Sequence, residues 1–532
     1  MQRVVVWPRY ELLTPLILHK PPSGLLCSRL THPHLIKFSA YIRAKTKSTR
    51  PLLNYTIWLH VATSKLSMDE ETAWLYIDCY EAAREVTREE RAEQQQRLAS
   101  LQSGEELIEY RKDVCVDALS FILYLYTQNA PYSGRTFVPD TGWPEQSPRE
   151  GTRFDEEYQF LNFIRTGVKD ILQLISEVPA RDNESQITIE CIDCLDLVLS
   201  CSLDGRVVSI RELLLSSSLR HDCDFSNNTF SVKTLSSWLL QHLSISPYGV
   251  SSIMNGHRDH TNYYYRSSHR GRVCGNYSIA PLGHQITVLD QVPIQTILLE
   301  ARDTQISYAF IRKCRDTNIS LLTPHRTVVI ERCYECDICL APVDSCLVIK
   351  KCENVTVRCF ARKVVLFSLK GCKLYINTPT QPVFLYNNSN VQLSPANLHY
   401  PAIEKQLTTY PMCGINLWDY PTLLSTDTSQ IGATPYKLID PISFSVHLTP
   451  FSNPGKLSLP YPLPRNFREA LADQKNGMKE WHELEGTLNS SEELVLKQAL
   501  DEGFNEYLST EKLSQNIQQV FAIIDKHSSD HS

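Results

Sequence analysis

The sequence predicts an α+β multidomain protein in which a helical region precedes a β-solenoid and further helices follow it. Three observations predict this class. Apolar residues recur at helical spacing over residues 1–250, short β segments repeat with a period near 20 residues over 305–395, and helical patterns return after residue 464. We therefore predict a helical N-terminal domain at 1–250, a connector at 251–290, a solenoid domain at 291–435, and an irregular segment with helices at 436–532.

Composition excludes several classes of protein. The 532 residues include 53 Lys and Arg against 59 Asp and Glu, a net charge of −6, so there is no bulk electrostatic footprint for nucleic acid or an anionic membrane. Seventeen scattered cysteines in so long a chain indicate reduced thiols. The N-terminus lacks a signal-peptide pattern, and no apolar run reaches ~18 residues, so we expect neither secretion nor a transmembrane helix.

The helical N-terminal region begins several of its helices with recognisable signals. Ser67–Glu70 has the pattern of a capping box, and apolar residues then follow at helical spacing up to Ala83. The segment Arg84–Arg111 is rich in Glu, Arg and Gln. It is either a solvated helix between core helices or a coiled-coil partner, and the absence of sustained heptads favours the first interpretation.

The connector carries basic and aromatic residues side by side. Such residues could stack on and neutralise nucleic acid, but an exposed polar linker is favoured because no groove-forming fold pattern accompanies them. We therefore predict no nucleic-acid partner. The residues concerned are Arg258, Tyr263, Tyr264, Tyr265, Arg266, Arg270 and Arg272.

The repeat is the strongest signal in the sequence. Its units start at Val328, Leu347, Val364 and Val383, separated by 19, 17 and 19 residues, and an earlier unit starts 19 residues before Val328 at Ala309. A second set of inner positions keeps the same steps: Cys336, Val355, Cys372 and Val391. A single such unit cannot bury its apolar face, so the units are expected to stack into a ladder of coils.

Cysteines within the repeat have two interpretations. Cys333, Cys336 and Cys339 spell C-x2-C-x2-C, which is typical of zinc or iron–sulfur sites. However, Cys314, Cys333 and Cys352 lie 19 residues apart at one repeat position, where a small apolar residue fills the ladder. We favour structural thiols here, and also at Cys191 and Cys194, and predict no metal and no cofactor.

Sequence motifs for catalysis are absent. The chain has no phosphate-binding loop, dinucleotide fingerprint, nucleophile elbow or H-E-x-x-H sequence. A β-helix carbohydrate-active enzyme is disfavoured because the repeat spans only about five coils and no paired acids line a groove. After the repeat, residues 396–464 are expected to cover the end of the solenoid, and 467–482 and 491–508 to be helical.

At the repeat the chain resembles a known family. The coils over about 300–400, ending in VQLSPANLHYP and followed by Trp418-Asp419, are similar to the cofactor C-like (C-CAP) domain of tubulin-binding cofactor C. The blocks Trp58–Ala83, VDALSFILYLY and KTLSSWLLQHLSISPYG extend the resemblance to the TBCC domain-containing proteins of ciliated eukaryotes. The resemblance implies a right-handed parallel β-helix.

The resemblance also implies where catalysis would sit. The cofactor C branch stimulates GTP hydrolysis through an arginine in a Q-x-R-x-H strand motif after a cysteine, and such an arginine stabilises the transferring phosphoryl group. In the corresponding stretch, Cys359–Val365, the Gln and His are missing. Lys363 stands in the arginine's place and Arg362 lies one residue away, which on a strand turns a side chain to the opposite face. Lysine also lacks the planar fork of arginine.

We therefore expect a non-enzymatic cytoskeletal adaptor with no catalytic residue. By resemblance, its partners would be proteins of the centrosome or basal body, including tubulin or a small GTPase. It would reside in the cytoplasm and cytoskeleton, at the centrosome, spindle pole or basal body, position the centrosome and Golgi, and bind through the β-helix face. The alternative is a GTPase-activating protein for tubulin or an ARF-like GTPase that uses Arg362 or Lys363.

Overall fold

The computed structural model describes residues 3–18, 26–131, 153–176, 185–217, 220, 224, 228–255, 265–266, 271–277, 280–410, 415–424, 434–449, 459–485, 487 and 494–503. In the helical N-terminal region the elements, in chain order, are β1 (Val4–Pro8), α1 (Tyr10–Leu13), α2 (His32–Thr46), β2 (Leu52–Leu53), α3 (Tyr55–Ser64), α4 (Glu70–Ala83), α5 (Arg88–Ala99), α6 (Gly104–Asp113), β3 (Val116–Asp117), α7 (Ala118–Thr127), α8 (Arg153–Ile175), β4 (Gln186–Thr188), α9 (Ile189–Ile192), β5 (Leu199–Leu203), β6 (Arg206–Val208), α10 (Ile210–Ser216), β7 (Thr229–Ser231), α11 (Val232–His242) and α12 (Val250–Asn255).

This region folds around α7, a helix whose ten residues are all buried. Trp58 of α3 meets Phe121 of α7 edge-to-face with ring centroids 4.8 Å apart. The Trp58 indole N–H donates to the carbonyl of Ala73, 2.6 Å away, which satisfies the only polar atom of that buried ring. The predicted helical character of the region is confirmed.

The start of α4 and the polar segment after it both differ from the predictions. The predicted capping box at Ser67–Glu70 is wrong: Ser67 has a φ of 55°, and Asp69 is the N-cap of α4, its carboxylate accepting a 2.7 Å hydrogen bond from the amide of Thr72. Asp is as good a cap as Ser, and the helix starts two residues later than predicted. The polar segment after α4 forms two helices, α5 and α6, rather than one.

The solenoid follows the connector and has about six turns. Its strands are β8 (Tyr265–Arg266), β9 (Arg272–Gly275), β10 (Ile286–Asp290), β11 (Thr296–Leu299), β12 (Ile306–Arg312), β13 (Asn318–Leu321), β14 (His325–Glu331), β15 (Asp337–Leu340), β16 (Val343–Lys350), β17 (Thr356–Phe367), β18 (Lys373–Asn377), β19 (Val383–Phe384), β20 (Val391–Pro395), β22 (Thr422–Leu423) and β23 (Tyr436–Leu438), with β21 (Leu398–His399) paired to β24 (His447–Leu448) beside it. The first parallel strand, β10, lies at the end of the segment predicted as connector.

Parallel pairing arranges these strands in two ladders. We call β10, β12, β14, β16, the C-terminal half of β17, and β19 the first ladder, and β11, β13, β15, the N-terminal half of β17, β18 and β20 the second ladder. In the first ladder Ala309 pairs with Val328, Val328 with Leu347, and Leu347 with Val364. These pairs confirm the repeat positions predicted from the sequence.

Each corner between the two ladders bends the chain in the same way. Two residues three positions apart adopt a positive φ in every coil: Gln291 and Ile294, Lys313 and Asp316, Arg332 and Glu335, Lys351 and Asn354, Ser368 and Gly371, Asn387 and Asn390. The residues between them form parallel bridges from coil to coil, in the order Arg315, Tyr334, Glu353, Lys370 and Ser389. The buried cysteines at 314, 333 and 352 precede the first three of these residues, so they stack as predicted.

One predicted alignment is wrong. The sequence pattern pairs Val364 with Val383, whereas in the structure Val383 pairs with Val365. Both Ser368 and Asn387 start a corner with a positive φ, so the chain holds one extra residue between Phe384 and Asn387. The second ladder keeps the predicted step, with Leu374 opposite Leu393.

Side chains of the first ladder alternate between two cores. Inward-facing residues such as Val328, Leu347 and Val364 fill the solenoid interior. Outward-facing residues such as Val329, Val348 and Val365 belong to the same hydrophobic cluster as Trp58 and the other buried residues of the helical region. The helical region therefore covers the outer side of the first ladder.

The C-terminal segment closes one end of the solenoid, as predicted. It contains α13 (Ile403–Thr409), α14 (Arg465–Glu485) and a further helix over 494–503. Trp418, Phe444 and Phe467 pack on the solenoid core, and the Phe444 and Phe467 ring centroids lie 5.1 Å apart. The rest of the predicted helix 491–508 lies outside the described residues, as does most of the basic and aromatic stretch of the connector. Within the described part of the chain, no helix has the length and apolarity needed to cross a membrane.

A buried histidine in the first ladder predicts sensitivity to acid. His325 has no solvent exposure, and burial lowers the pKa of its imidazole from 6.5 to about 3. Below pH 6.5 the unfolded chain therefore binds a proton that the folded chain does not, and the free energy of unfolding falls as the pH falls, by about 1.4 kcal/mol per pH unit until about pH 3. Urea unfolding between pH 7 and pH 5 measures this slope.

The matched variant is His325→Gln, which removes the titrating group. We expect a shallower slope in this variant than in the parent chain. Because burial lowers the pKa values of His284 and His447 to about 4 as well, part of the slope will persist. Equal slopes in the two proteins would contradict the assignment to His325.

Candidate functional site

Lys363, which the resemblance places at the arginine position of the cofactor C branch, lies at the junction between the helical region and the solenoid. Lys363 belongs to β17 and is paired in register with Cys346 of β16. Its side chain is only 2% exposed, and its ammonium forms an ion pair with Asp78 of α4. The ammonium also donates a 3.0 Å hydrogen bond to the carbonyl of Gln381.

Helix α4 brings Asp78 to this position. Its carboxylate side chain is 1% exposed, in the middle of a helix that buries ten residues. A buried carboxylate is stable only when it is paired and hydrogen-bonded. Asp78 has two cationic partners, Lys363 from the solenoid and Arg111 from α6. This three-residue cluster, which we call the junction cluster, joins the two regions through buried charges.

The environment lowers the pKa values of both cations. Burial lowers the pKa of the Lys363 ammonium to about 8, and the positive charge of Arg111 acts in the same direction. Burial, together with the positive charge of Arg362, lowers the pKa of the Arg111 guanidinium to about 9. The Arg111 guanidinium also lies over the ring of Trp74, 5.1 Å from its centroid, which is favourable for a desolvated cation.

Arg362, the other candidate, is also bound within the chain. Its Nε donates to the carbonyl of Asp344 at 2.8 Å, and its terminal nitrogen forms a 3.1 Å ion pair with the Asp344 carboxylate. The Arg362 carbonyl accepts a 2.6 Å hydrogen bond from the hydroxyl of Thr380. The side chain keeps 22% exposure, so one edge of the guanidinium faces the cleft described below.

The two candidate side chains do not lie on opposite faces, as strict strand alternation predicted. Both reach the junction, because Arg362 lines the same cleft as Asp78, which is the partner of Lys363. The register between β16 and β17 shifts between Val343 and Cys346: Val343 pairs with Ala361, but Cys346 pairs with Lys363. Asp344 and Ser345 of β16 therefore oppose the single residue Arg362. On β17 itself, Ala361 and Val364 both belong to the solenoid core, so the alternation breaks at the two residues between them.

A cleft of about 90 Å³ opens beside the junction cluster. Helices α4, α5 and α6 form one wall, and the segment that follows β18 forms the other. Its charged groups are Asp78, Glu81, Arg111 and Arg362, and its apolar residues include Trp74, Ile77 and Leu107.

The C-terminal end of α4 makes a second polar contact with the solenoid. Arg326 of β14 donates a 3.1 Å hydrogen bond to the carbonyl of Ala83 and lies 2.9 Å from the Glu85 carboxylate. Arg9 binds the same carboxylate at 2.5 Å. The positive charges of Arg9 and Arg326 hold the pKa of Glu85 well below its usual range. Ser345 of β16 donates to the carbonyl of Ala82 beside this group.

Asp78, Arg111 and Glu85 were not predicted from the sequence as site residues. A signal was present for Asp78 alone: an acidic residue in the apolar stretch WLYIDCYEAA is unusual at a buried helical position. Its partners lie far away in sequence, with Lys363 285 residues downstream, and no local pattern connects them.

The cysteines within each C-x2-C motif lie in different environments. Cys333 and Cys336 point into the solenoid core, whereas Cys339 belongs to a different cluster with Phe360 and Tyr400. The Cys191 and Cys194 thiols have different partners, the Thr49 carbonyl at 3.5 Å and the Asp117 carboxylate at 3.6 Å. Among the residues that the structure describes, no three His, Cys, Asp or Glu side chains converge as metal ligands.

Comparison with known proteins agrees with this architecture. The family model for tubulin binding cofactor C matches residues 306–419, the main part of the solenoid. TBCC domain-containing protein 1 of Bos taurus is 27% identical over 538 aligned residues, covering 95% of each chain. The Homo sapiens protein of that name is 27% identical over 508 residues, covering 90% of each chain, and the Danio rerio protein is 26% identical, covering 94% of this chain and 91% of its own. Residues 306–419 therefore match the tubulin binding cofactor C family, and the chain is similar over most of its length to TBCC domain-containing proteins.

Proposed function

We propose that the protein is a non-enzymatic cytoskeletal adaptor that takes part in positioning and organising the centrosome or basal body and the Golgi. Its residence in the cytoplasm and cytoskeleton, at the centrosome, spindle pole or basal body, is part of the same proposal. The basis for these locations is the resemblance to TBCC domain-containing proteins. Its partners would be proteins, among them tubulin or a small GTPase.

The proposal that the protein is not an enzyme rests on the burial and ion pairing of Lys363. An arginine finger must project a free guanidinium toward a phosphoryl group on another molecule. Lys363 is 2% exposed and is held by Asp78 and the Gln381 carbonyl. Extracting it would leave the buried Asp78 carboxylate with one partner fewer, which is costly. A lysine that stabilises the fold in this way is poorly placed to act on a partner.

One face of the solenoid is more accessible to a partner protein than the other. The outer side of the first ladder packs against the helical region. The second ladder presents a polar row at or near the surface: Asn318, Asp337, Thr356, Lys373 and Gln392. We propose this row, rather than the first ladder, as the docking face for protein partners.

The alternative function is stimulation of GTP hydrolysis on tubulin or an ARF-like GTPase. The observation that favours it is the partial exposure of Arg362, whose guanidinium faces the cleft. Arg362 would have to exchange its contacts with Asp344 for contacts with a nucleotide.

A single-turnover GTP hydrolysis assay separates the two functions. We expect the full chain to leave the hydrolysis rate of tubulin and of an ARF-like GTPase unchanged, because neither cation is free. Acceleration that disappears in Arg362→Ala and persists in Arg326→Ala would favour the alternative. Arg326 is a suitable control because it lies at the same junction but binds Glu85 instead of lining the cleft.

Proximity labelling in dividing cells tests the adaptor. We expect pericentriolar, tubulin and Golgi proteins among the labelled set, and a reduced set with Lys373→Glu, which reverses a charge on the second ladder. Lys370→Glu, the same change on the neighbouring corner, is the control. A labelled set without any of these protein classes would count against the proposed location, and equal effects of the two variants would count against the proposed face.

A further inference from the structure

We propose that the hairpin formed by α5 and α6 is a lid over the cleft, and that it opens as a unit to expose Arg362. We call residues 84–115 the lid. Arg362 lines the cleft beneath it and is 22% exposed while the lid is closed. A partner could therefore reach the whole Arg362 guanidinium only after the lid has moved. The inference does not depend on either of the functions proposed above.

The lid has few apolar contacts with the rest of the chain. Among its side chains that the structure describes, Leu107 alone is buried. Leu107 packs on Leu417 in a small cluster that is separate from the core of the helical region and from the core of the solenoid. A segment with few buried apolar contacts opens locally, at a lower free energy than the whole fold.

The two helices of the lid hold each other near its tip. Leu98 and Leu101, at the end of α5 and just after it, belong to the same small cluster as Leu107 and Ile108 of α6. Helix α5 begins with a capping box, and a serine side chain caps the start of α6. The lid can therefore move without losing its own secondary structure.

Open space adjoins the lid on two sides. The cleft of about 90 Å³ separates it from α4 and from the segment that follows β18. A second cleft of about 660 Å³ lies between α5 and residues 110–115, where the lid rejoins the rest of the chain. Close packing at these places would resist a rotation of the lid, and the two clefts leave room for it.

The ion pair between Arg111 and Asp78 acts as the latch of the lid. Breaking it is costly, which keeps the lid closed most of the time, but Asp78 then still has Lys363 as its partner. The closed latch is also incompletely hydrogen-bonded. One nitrogen of Arg111 and one oxygen each of Asp78 and Glu81 are buried without a hydrogen bond among the described residues. Opening hydrates these groups, which offsets part of the cost.

Hydrogen exchange of the full chain, followed by mass spectrometry, tests whether the lid opens. We expect the amides of α5 and α6 to exchange about a hundredfold faster than those of α7, whose residues are all buried. Leu107→Ala should accelerate exchange in both lid helices about tenfold and leave α7 unchanged. If that variant does not fold, the smaller truncation Leu107→Val repeats the test. Exchange in the lid as slow as in α7, or acceleration in one lid helix alone, would overturn the proposal.

Modification of arginines by phenylglyoxal tests whether opening exposes Arg362. We expect Leu107→Ala to raise the modification rate at Arg362 about threefold and to leave the rate at Arg326 unchanged. Arg326 is the matched control because it lies at the same junction, is 18% exposed, and binds Glu85 outside the cleft. Equal rates at Arg362 in the parent chain and the variant would show that the lid does not control access to this residue, and would reject the proposal.

Discussion

Replacing Asp78 with alanine is expected to lower the free energy of unfolding by about 3–5 kcal/mol. The carboxylate is almost fully buried and is the anionic partner of both Lys363 and Arg111. Without it, two cations remain in an environment that cannot solvate them. Chemical denaturation of the purified full chain, followed by circular dichroism, measures the change.

Two controls show whether the loss arises from buried charge. Asp78→Ala combined with Lys363→Met removes an anion together with one of its cations, and we expect the double variant to be more stable than Asp78→Ala alone. Glu353→Ala breaks an exposed ion pair of 2.8 Å with Lys370 and should cost at most about 1 kcal/mol. A loss at Asp78 no larger than that at Glu353 would contradict a structural role for the junction cluster.

Leu347→Ala is expected to lower the free energy of unfolding by about 2–5 kcal/mol. Leu347 has no solvent exposure and stacks between Val328 and Val364 in neighbouring coils. Truncation leaves a cavity that rigid neighbouring coils fill poorly, since each coil is fixed by the pairing on both of its sides. Equilibrium unfolding in urea gives the value.

The matched control for this prediction is Leu282→Ala. Leu282 loses the same atoms but is 72% exposed in the turn between β9 and β10. We expect a change within about 0.5 kcal/mol. Comparable losses at Leu282 and Leu347 would show that the inward row of the first ladder does not form the core.

The solenoid could be predicted because its signal is local and repeated. A coil that stacks on its neighbours must return to the same side after each turn, so Val328, Leu347 and Val364 reveal their pairing by spacing alone. The prediction was wrong at Val383, where one extra residue follows Phe384 without altering the polar and apolar pattern. The repeat therefore predicts the coils, but it does not predict where an extra residue is inserted in one of them.

The candidate site could be predicted only in part. Lys363 and Arg362 were found because the family resemblance indicates that position on β17. Their partners could not be found, since Asp78 and Arg111 come from helices whose packing on the solenoid depends on the tertiary fold. The direction of Arg362 was also missed, because the break in alternation between Ala361 and Val364 leaves no mark in the sequence.

The shared hydrophobic cluster has a consequence for how the chain loses its structure. Val329, Val348 and Val365 complete the core of the helical region, so neither region retains a full set of apolar contacts once the other detaches. We therefore expect the helical region and the solenoid to unfold on heating in a single calorimetric transition rather than in two. A fragment limited to the matched 306–419 segment would expose this valine row to solvent and self-associate, whereas one retaining the N-terminal helices would stay monodisperse.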